Sequence, residues 1–354
     1  MMTLRLFSHG LESIPTATAW SLADLGQAKG KQELFTRQSP QRLKILREHA
    51  MIESAVSSNR IEGVEVDPSR VGTIVFGRPS LRNRNEEEVR GYRDALKLIH
   101  EEGQSLAVSE EVVQRLHKLT RGEIWDAGRY KDKDGQIIER YPDGRERVRF
   151  RPVPARETPA AMRELVSLWD DALRERQAPP PIAMAAFNLD FLCIHPFRDG
   201  NGRVSRLLLL LQCYHLGYEV GRYISLERLI EQNKERYYET LERSSAGWHE
   251  DRLDPWPFVN YLLFILKTAY REFEERVGQT AAPKGAKAEM IRDAVARQSG
   301  EFRLADIERA CPGVGREWIR RLLAQMKASG EVSCQGKGPA ARWRYVGGKG
   351  STFK

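Results

Sequence analysis

Apolar residues recur at helical spacing along most of the chain. In residues 38–60 they fall near a period of 3.6 until Gly63 and Asp67 interrupt the pattern, which predicts a helix ending near Glu62. The same spacing predicts helices over 85–100, 109–119, 159–176, 182–194, 202–216, 226–244 and 257–277. Residues 136–150 instead contain two short strand-like runs around Pro142-Asp143-Gly144, which predict a β-hairpin. We therefore expect a mainly α protein with one small hairpin in its body.

The last part of the chain follows a different order of elements. Helical patterns over 288–298, 304–310 and 315–329 are followed by strand-like runs at 332–334 and 342–346. This order is typical of a winged helix-turn-helix. We expect three regions: an N-terminal helical region over 1–110, a central domain over 111–280 and a winged-helix domain over 284–354.

Composition excludes a membrane-spanning or disulfide-stapled protein. Of the 354 residues, 41% are hydrophobic and 30% are charged, and no apolar run reaches the length of about 18 residues that a membrane span needs. The N-terminal residues lack a segment typical of an export signal, and the four cysteines show no paired spacing. We expect a cytoplasmic protein with reduced thiols and no membrane contact.

The net charge of +8 lies in the C-terminal region. From Lys284 onward there are 15 Lys and Arg against 7 Asp and Glu, and the preceding residues balance at 42 of each. A basic module of this kind contacts DNA through its third helix or contacts protein, often as a homodimer. The sequence leaves both alternatives open.

One segment, His195-Pro196-Phe197-Arg198-Asp199-Gly200-Asn201-Gly202-Arg203-Val204-Ser205-Arg206, concentrates residues that suit phosphate chemistry. It joins two predicted helices, so the Gly200-Asn201-Gly202 backbone opens the second helix with N–H groups that can surround an anion. Arg203 and Arg206 can bind further phosphate oxygens. Asp199 among these phosphate binders favours Mg²⁺, and His195 suits a general base near neutral pH.

These residues resemble the signature H-x-F-x-[D/E]-G-N-G-R-x-x-R of the Fic (filamentation induced by cAMP) family at every defined position. The resemblance implies a Fic-type helical domain with a hairpin flap and the transfer of AMP from ATP to a Ser, Thr or Tyr hydroxyl of a target protein. It also implies His195 as general base, Asp199 as the Mg²⁺ ligand and the Gly-Asn-Gly backbone as the phosphate site. Gly202 indicates transfer of AMP, since the relatives that transfer a phosphate group instead carry Lys at this position.

Two further segments resemble parts of the family pattern. The hairpin from Ile137 to Phe150 resembles the flap that holds the target in an extended form, which would use main-chain pairing to a strand edge. The segment around Tyr237 and Tyr238 resembles the part that closes over the adenine, with Tyr238 as the expected contact. The alternative for this tyrosine pair is ordinary packing on an amphipathic helix.

Residues 58–63, Ser-Asn-Arg-Ile-Glu-Gly, match the family's inhibitory-helix pattern [S/T]-x-x-x-E-[G/N]. The segment lies upstream of the motif, which resembles the class with an N-terminal inhibitory helix, here about 40–62. A carboxylate at Glu62 can pair with Arg206 and prevent it from orienting the γ-phosphate. The resemblance also implies a reverse reaction, removal of AMP by a water that Glu62 activates. An alternative outside the enzymes is a DNA-binding transcriptional regulator that senses nucleotide, although such a sensor has no need of His195.

Overall fold

Helices dominate the computed structural model, which describes residues 2–8, 13–36, 40–140, 143–278, 286–298, 300–311, 314–336, 338 and 341–347. The described helices are α1 (Thr3–Phe7), α2 (Thr16–Thr36), α3 (Pro40–Ile61), α4 (Pro68–Phe76), α5 (Arg84–Glu102), α6 (Glu110–Arg121), α7 (Thr158–Arg174), α8 (Pro180–Ile194), α9 (Asn201–His215), α10 (Leu226–Gln232), α11 (Lys234–Ser245), α12 (Trp256–Gly278), α13 (Ala286–Ala296), α14 (Leu304–Ala310) and α15 (Arg316–Ala328). The described strands are β1 (Ile137–Arg140), β2 (Glu146–Phe150), β3 (Glu301–Phe302), β4 (Val332–Gln335) and β5 (Arg342–Tyr345). The prediction of a mainly α protein is confirmed.

The chain divides into two units. The first comprises Met1–Val64 with Asn83–Gln279, and the second comprises Glu65–Arg82 with Thr280–Lys354. The predicted boundary at residues 280–284 lies outside the described residues. Among the residues that the structure describes, no helix is both long enough and apolar enough to cross a membrane.

The first unit is built around α8. Every residue of this helix from Pro181 to Ile194 is buried, because its sequence is apolar on all faces rather than on one stripe. Helix α9 packs against α8 and is also almost wholly buried. The predicted motif therefore lies in the turn between two central helices, where the surrounding core fixes its backbone.

The predicted hairpin is present in the first unit. Strands β1 and β2 pair antiparallel, with Ile138 opposite Val148 and Arg140 opposite Glu146. Ile138 and Val148 are both exposed, so this pair forms an apolar spot on the hairpin.

One predicted helix is divided in the structure. The pattern over 226–244 predicts a single helix, but the chain forms α10 and α11 with a break at Asn233, where φ is −118° and ψ is 33°. The Asn233 side chain donates to the Leu229 carbonyl at 2.9 Å. Asparagine commonly bonds nearby backbone in this way and so competes with helix continuation. The prediction of one continuous helix was wrong.

The second unit has a small core of its own. Its three-stranded antiparallel sheet has the order β3-β5-β4, and apolar residues of α13, α14 and α15 form a buried cluster beside it. The helices and the last two strands follow the predicted order, and β3 is an element that the sequence pattern did not predict. The assignment of this unit as a winged-helix domain remains a prediction.

Candidate active site

The motif begins with a sharp change of backbone direction at His195. This residue follows α8 in the left-handed region, with φ 50° and ψ 63°, and its N–H still donates to the Phe191 carbonyl at 2.9 Å. Gly200 then adopts φ 83° immediately before α9. The loop between these two positions is thus held by both central helices. A residue other than glycine, such as His195, adopts the left-handed conformation only where the surrounding structure imposes it.

Side chains within and below the loop fix its shape. Phe197 is buried and stacks on His117, with ring centroids 3.7 Å apart. Asn201 bonds both polar groups of the Phe197 backbone, at 2.9 Å to the N–H and 2.8 Å to the carbonyl. His117 Nδ1 accepts the Gly128 N–H at 2.9 Å, so its Nε2–H is left to donate to the Asp199 carbonyl at 3.0 Å. The Asn201 side chain therefore supports the loop, while its backbone opens α9.

Lys131 supports the loop from the other side. Its Nζ donates to the carbonyls of Ile194 and His195, each at 2.9 Å, and its backbone N–H donates to the Pro196 carbonyl at 2.8 Å. Burial lowers the pKa of Lys131 to about 8, although Asp134 opposes the shift. One residue thus binds three consecutive carbonyls, the last of α8 and the first two of the motif.

The imidazole of His195 is arranged to act as a base. Its Nδ1 lies 3.3 Å from the Leu192 carbonyl, which requires the proton on Nδ1 and leaves Nε2 as the acceptor. Burial and the charge of Lys131 lower the pKa of His195 to about 4. The ring is therefore neutral at physiological pH, which is the state that can accept a proton from a hydroxyl.

Glu62 reaches the start of α9 from the end of α3. Arg206 donates to Glu62 Oε1 at 2.8 Å, and also to the Oγ and the carbonyl of Ser58, at 2.8 and 2.9 Å. A Cβ added at Gly202 would lie only 2.3 Å from Glu62 Oε1. The first N–H groups of a helix have no partner within it and attract anions. The Glu62 carboxylate therefore lies where the sequence predicts that a phosphate binds.

Arg203 is arranged differently from Arg206. It is almost wholly buried, and its Nη1 donates to Glu88 at 2.6 Å and to Asn59 at 3.3 Å. The structure thus shows Arg203 in an internal ion pair that ties α9 to α5 and α3. A direct contact from Arg203 to phosphate stays a prediction.

Asp199 fits a magnesium site that uses one carboxylate plus phosphates. Its side chain is 58% exposed, Oδ1 accepts the Gly200 N–H, and Oδ2 accepts Arg121 Nη1 at 2.6 Å. Burial would raise the pKa of Asp199, but Arg121 and Arg203 hold it below its ordinary value. An ionised, accessible carboxylate beside a phosphate site is the donor that Mg²⁺ commonly uses.

A cavity of about 230 Å³ joins these parts. His195, Gly202 and Arg206 line it together with Glu62. Its other walls come from the hairpin and α11, and they include Ile137, Arg149, Phe150, Tyr237, Tyr238, Leu241 and Glu242. Among the predicted site residues, the cavity thus brings together Glu62, His195, Gly202, Arg206 and Tyr238, while Asp199, Gly200, Asn201 and Arg203 do not line it.

The hairpin is fastened to the α11 side of this cavity. Arg149 Nη2 donates to the Tyr238 carbonyl at 2.7 Å and pairs with Glu242 Oε2 at 3.0 Å, and Arg147 pairs with the other Glu242 oxygen. The Arg149 guanidinium also lies over the Tyr238 ring, 5.5 Å from its centroid. Tyr237 and Tyr238 both line the cavity, and Tyr237 is the more buried of the two. The contact of Tyr238 with adenine stays a prediction.

Sequence reasoning missed the residues that support the site from outside the motif. His117, Lys131, Glu88 and Arg121 lie between 64 and 111 positions before His195 or Asp199 in the chain, and none belongs to a recognised pattern. Buried polar residues on otherwise apolar helix faces, such as His117 and Arg121 on α6, were the available signal.

Comparisons with a family profile, with curated proteins and with solved structures each find Fic proteins. A profile of the Fic/DOC family matches residues 107–213. The protein adenylyltransferase Fic of Nematostella vectensis is 24% identical over 225 residues, which are 60% of this chain and 46% of that protein. The chain therefore spans about half the length of that curated relative.

Solved structures share the fold. A Fic family protein from Desulfovibrio desulfuricans has a TM-score of 0.61 at 24% identity and covers 97% of this chain and 99% of its own. A Fic domain containing signaling protein from Bacteroides thetaiotaomicron has a TM-score of 0.61 at 23% identity, covering 73% and 100%. Fic-1 from C. elegans has a TM-score of 0.56 at 19% identity, covering 74% of each chain. At these identities the likeness establishes the fold alone.

Proposed function

We propose that this chain, whose residues 107–213 match the Fic/DOC family, is a protein adenylyltransferase, which moves AMP from ATP to a Ser, Thr or Tyr hydroxyl of a target protein. The observation that carries the proposal is the common cavity, which a neutral His195 and the positive start of α9 both face. A base and an anion site on one cavity are the two parts that attack on a bound phosphate requires.

His195 performs the proton transfer. Its Nε2 accepts the proton of the target hydroxyl as the hydroxyl oxygen attacks the α-phosphorus of ATP. A new bond forms between that oxygen and the α-phosphorus, and the bond from the α-phosphorus to the bridging oxygen breaks, so that pyrophosphate leaves. Lys131 and the Leu192 carbonyl keep the imidazole in the tautomer and orientation that this step needs.

The start of α9 and Arg206 bind the phosphates. Gly200 and Gly202 let the backbone approach an anion closely, and Arg206 supplies a charge-assisted bond. Asp199 would hold Mg²⁺, which neutralises phosphate charge when it is bound. Tyr238, in the wall formed by α11, is the proposed adenine contact.

We further propose that Glu62 restrains the reaction. Its carboxylate occupies the α9 end of the cavity and takes the Arg206 guanidinium, so a γ-phosphate cannot use either in that state. ATP bound beside Glu62 would lie in an unproductive orientation. The proposed resting activity is therefore low.

The test is Glu62→Gly with radiolabelled ATP, Mg²⁺ and cell extract. Removing the carboxylate frees both Arg206 and the start of α9, so we expect AMP incorporation into protein to rise by roughly tenfold or more. The readout is label retained on protein bands from the α-phosphate, compared with no label from the γ-phosphate. An unchanged rate in Glu62→Gly would remove the restraint from the proposal.

Two controls accompany this test. Glu62→Gly combined with His195→Ala should lose on the order of 10²–10⁴-fold in rate, since the general base is absent. Glu48→Gln neutralises an exposed acid on the same helix, α3, and should leave the rate at the wild-type level. A double variant as active as Glu62→Gly would rule out His195 as the base.

Other proposals concern the same chain. Removal of AMP by a water that Glu62 activates would use the same cavity, and the position of Glu62 between Arg206 and Gly202 supports it as a second reaction. DNA contact by the second unit has weaker support, because Arg316 and Arg320 on α15 pair with Glu308 and Glu317 at 3.4 and 3.1 Å. Homodimer formation and the choice between DNA and protein contact stay proposals.

A further inference from the structure

The carboxylate of Asp199 already has a cationic partner in the protein. Arg121 Nη1 lies 2.6 Å from Asp199 Oδ2, and Arg203 Nη2 lies 3.6 Å from the same oxygen. The Arg121 side chain is only 11% exposed and that of Arg203 only 2%, whereas Asp199 is open to solvent. Two nearly buried guanidinium groups therefore lie behind one accessible carboxylate.

Glu88 completes a closed set of four charges. Its Oε2 accepts Arg203 Nη1 at 2.6 Å, and its Oε1 lies 3.3 Å from Arg121 Nη1. Arg84 also bonds Glu88, at 3.1 Å, but its charge is balanced by Glu87 at 3.0 Å. Asp199, Arg121, Glu88 and Arg203 alternate in sign, and together they carry no net charge.

This balance of charges determines how strongly Asp199 can attract a divalent cation. A cation approaching the nucleotide-free protein is attracted by Asp199 and Glu88 but repelled by Arg121 and Arg203. These four charges therefore give it little net attraction. The Nε of Arg121 and of Arg203 is buried without a hydrogen-bond partner among the described residues, so neither guanidinium has all of its donors satisfied. Within the described part of the chain, no group of three His, Cys, Asp or Glu side chains could hold a metal ion. The further negative charge that a cation needs then comes from the bound nucleotide.

We propose that Arg121 is a positioning residue that neutralises Asp199 in the nucleotide-free protein, so that a divalent cation binds at Asp199 only together with a nucleotide. The proposal rests on the proposed nucleotide site. It assigns Arg121 two effects: it holds Asp199 in one orientation through a charge-assisted bond, and it keeps the site closed to free cations. The triphosphate supplies the charge that Arg121 and Arg203 otherwise cancel.

The experiment measures Mn²⁺ binding by the electron paramagnetic resonance signal of free Mn²⁺, with the full chain. Without nucleotide, the wild type should show no saturable Mn²⁺ binding that depends on Asp199, whereas Arg121→Gln should bind Mn²⁺ saturably because one repelling charge is gone. Adding Asp199→Asn to Arg121→Gln should abolish that gain. Arg121→Lys keeps the charge and should behave as the wild type does.

Matched controls separate the outcomes. Arg115→Gln removes the same charge from an exposed position of α6 and should leave Mn²⁺ binding unchanged. Saturable binding to the nucleotide-free wild type that Asp199→Asn removes would overturn the proposal, and this result does not require any Arg121 variant to fold. Equal Mn²⁺ affinity of folded Arg121→Gln and wild type would also overturn it. In α,β-methylene ATP a carbon replaces the oxygen between the α- and β-phosphorus atoms, so AMP cannot be transferred from it. Binding of Mn²⁺ together with this analogue tests the proposed nucleotide site separately.

Discussion

Lys131 and His117 hold the backbone from which His195 and Asp199 act. Lys131 binds the carbonyls of Ile194, His195 and Pro196, and His117 supports the Asp199 carbonyl while stacking on Phe197. Neither residue lines the cavity, so both act on chemistry through the position of the loop. A left-handed residue such as His195 keeps its conformation only when neighbours of this kind fix it.

Lys131→Met should therefore slow catalysis and weaken the fold. The substitution removes the donor from the buried Ile194 carbonyl and from the partly buried His195 carbonyl, and a buried group left unsatisfied costs about 1–3 kcal/mol. We expect kcat of the Glu62→Gly protein to fall while its affinity for nucleotide is kept, and we expect a lower urea midpoint. Kinetics and isothermal titration calorimetry provide the two readouts.

Lys133→Met is the matched control for Lys131→Met. Lys133 is exposed and lies two residues further along the same loop, so its loss should change neither kcat nor stability. If Lys131→Met and Lys133→Met behave alike, the support that Lys131 gives to the loop is not needed for function.

At the scale of whole elements, α3 is anchored along its length by buried polar contacts. Arg228 of α10 bonds Glu53 at 3.0 Å, and Ser54 bonds Glu227 at 2.6 Å. Lys234, the first residue of α11, donates to the Ile61 carbonyl at 2.7 Å, immediately before Glu62. Contacts with α10 and α11 thus fix the position of α3, and with it the position of Glu62.

The hairpin depends on Glu242 for its attachment to α11. Glu242→Ala removes the common partner of Arg147 and Arg149, two partly exposed pairs of the kind that contribute about 0.2–1 kcal/mol each. We expect amide hydrogen exchange in residues 146–150 to become roughly 2–10-fold faster. Mass spectrometry of exchanged peptides gives the measurement.

Glu239→Ala serves as the comparison for Glu242→Ala. Glu239 is exposed on the same helix and pairs only loosely with Arg243, at 3.8 Å. Its removal should leave exchange in β2 as it is. Unaltered exchange in Glu242→Ala would mean that the Tyr238 carbonyl and its contact with Arg149 are enough to hold the hairpin.

Elements with strong patterns were predictable and those shaped by tertiary contacts were not. The apolar spacing of α5, α6 and α7 and the twelve-residue motif carried enough local information to place them. Helix α2 escaped prediction because its few buried residues, such as Leu25, show no stripe. The support from Lys131 depends on partners that come together only in the folded chain. The break at Asn233 involves a local bond to the Leu229 carbonyl, which the spacing of apolar residues does not report.

For the molecule as a whole, three histidines with lowered pKa values predict loss of stability in mild acid. Burial is the main cause that lowers the pKa of His100 to about 3, and of His117 and His195 to about 4, from an ordinary value near 6.5. The unfolded chain then binds more protons between these pKa values, so stability falls as pH falls through that window. Burial raises the pKa of Asp190 to about 6, which acts in the opposite direction below that pH.

We therefore expect a lower urea midpoint at pH 5 than at pH 7. Between pH 7 and pH 5, each histidine lowers the free energy of unfolding by about 2 kcal/mol, and Asp190 offsets about 1 kcal/mol of the total. His100→Gln removes one titrating group and should reduce the difference between the two pH values. Denaturation followed by far-UV circular dichroism tests both statements, and equal midpoints at pH 5 and pH 7 would contradict them.

The missing side chain at Gly202 has a consequence for how such a protein can evolve. A Cβ there would lie 2.3 Å from Glu62 Oε1, in the same void that the incoming phosphate is proposed to use. Alanine at this position would force the Glu62 carboxylate to shift and would narrow the space proposed for the phosphate, so one substitution would alter the restraint and the nucleotide site together. The proposed restraint and the proposed reaction are thus linked through a single glycine.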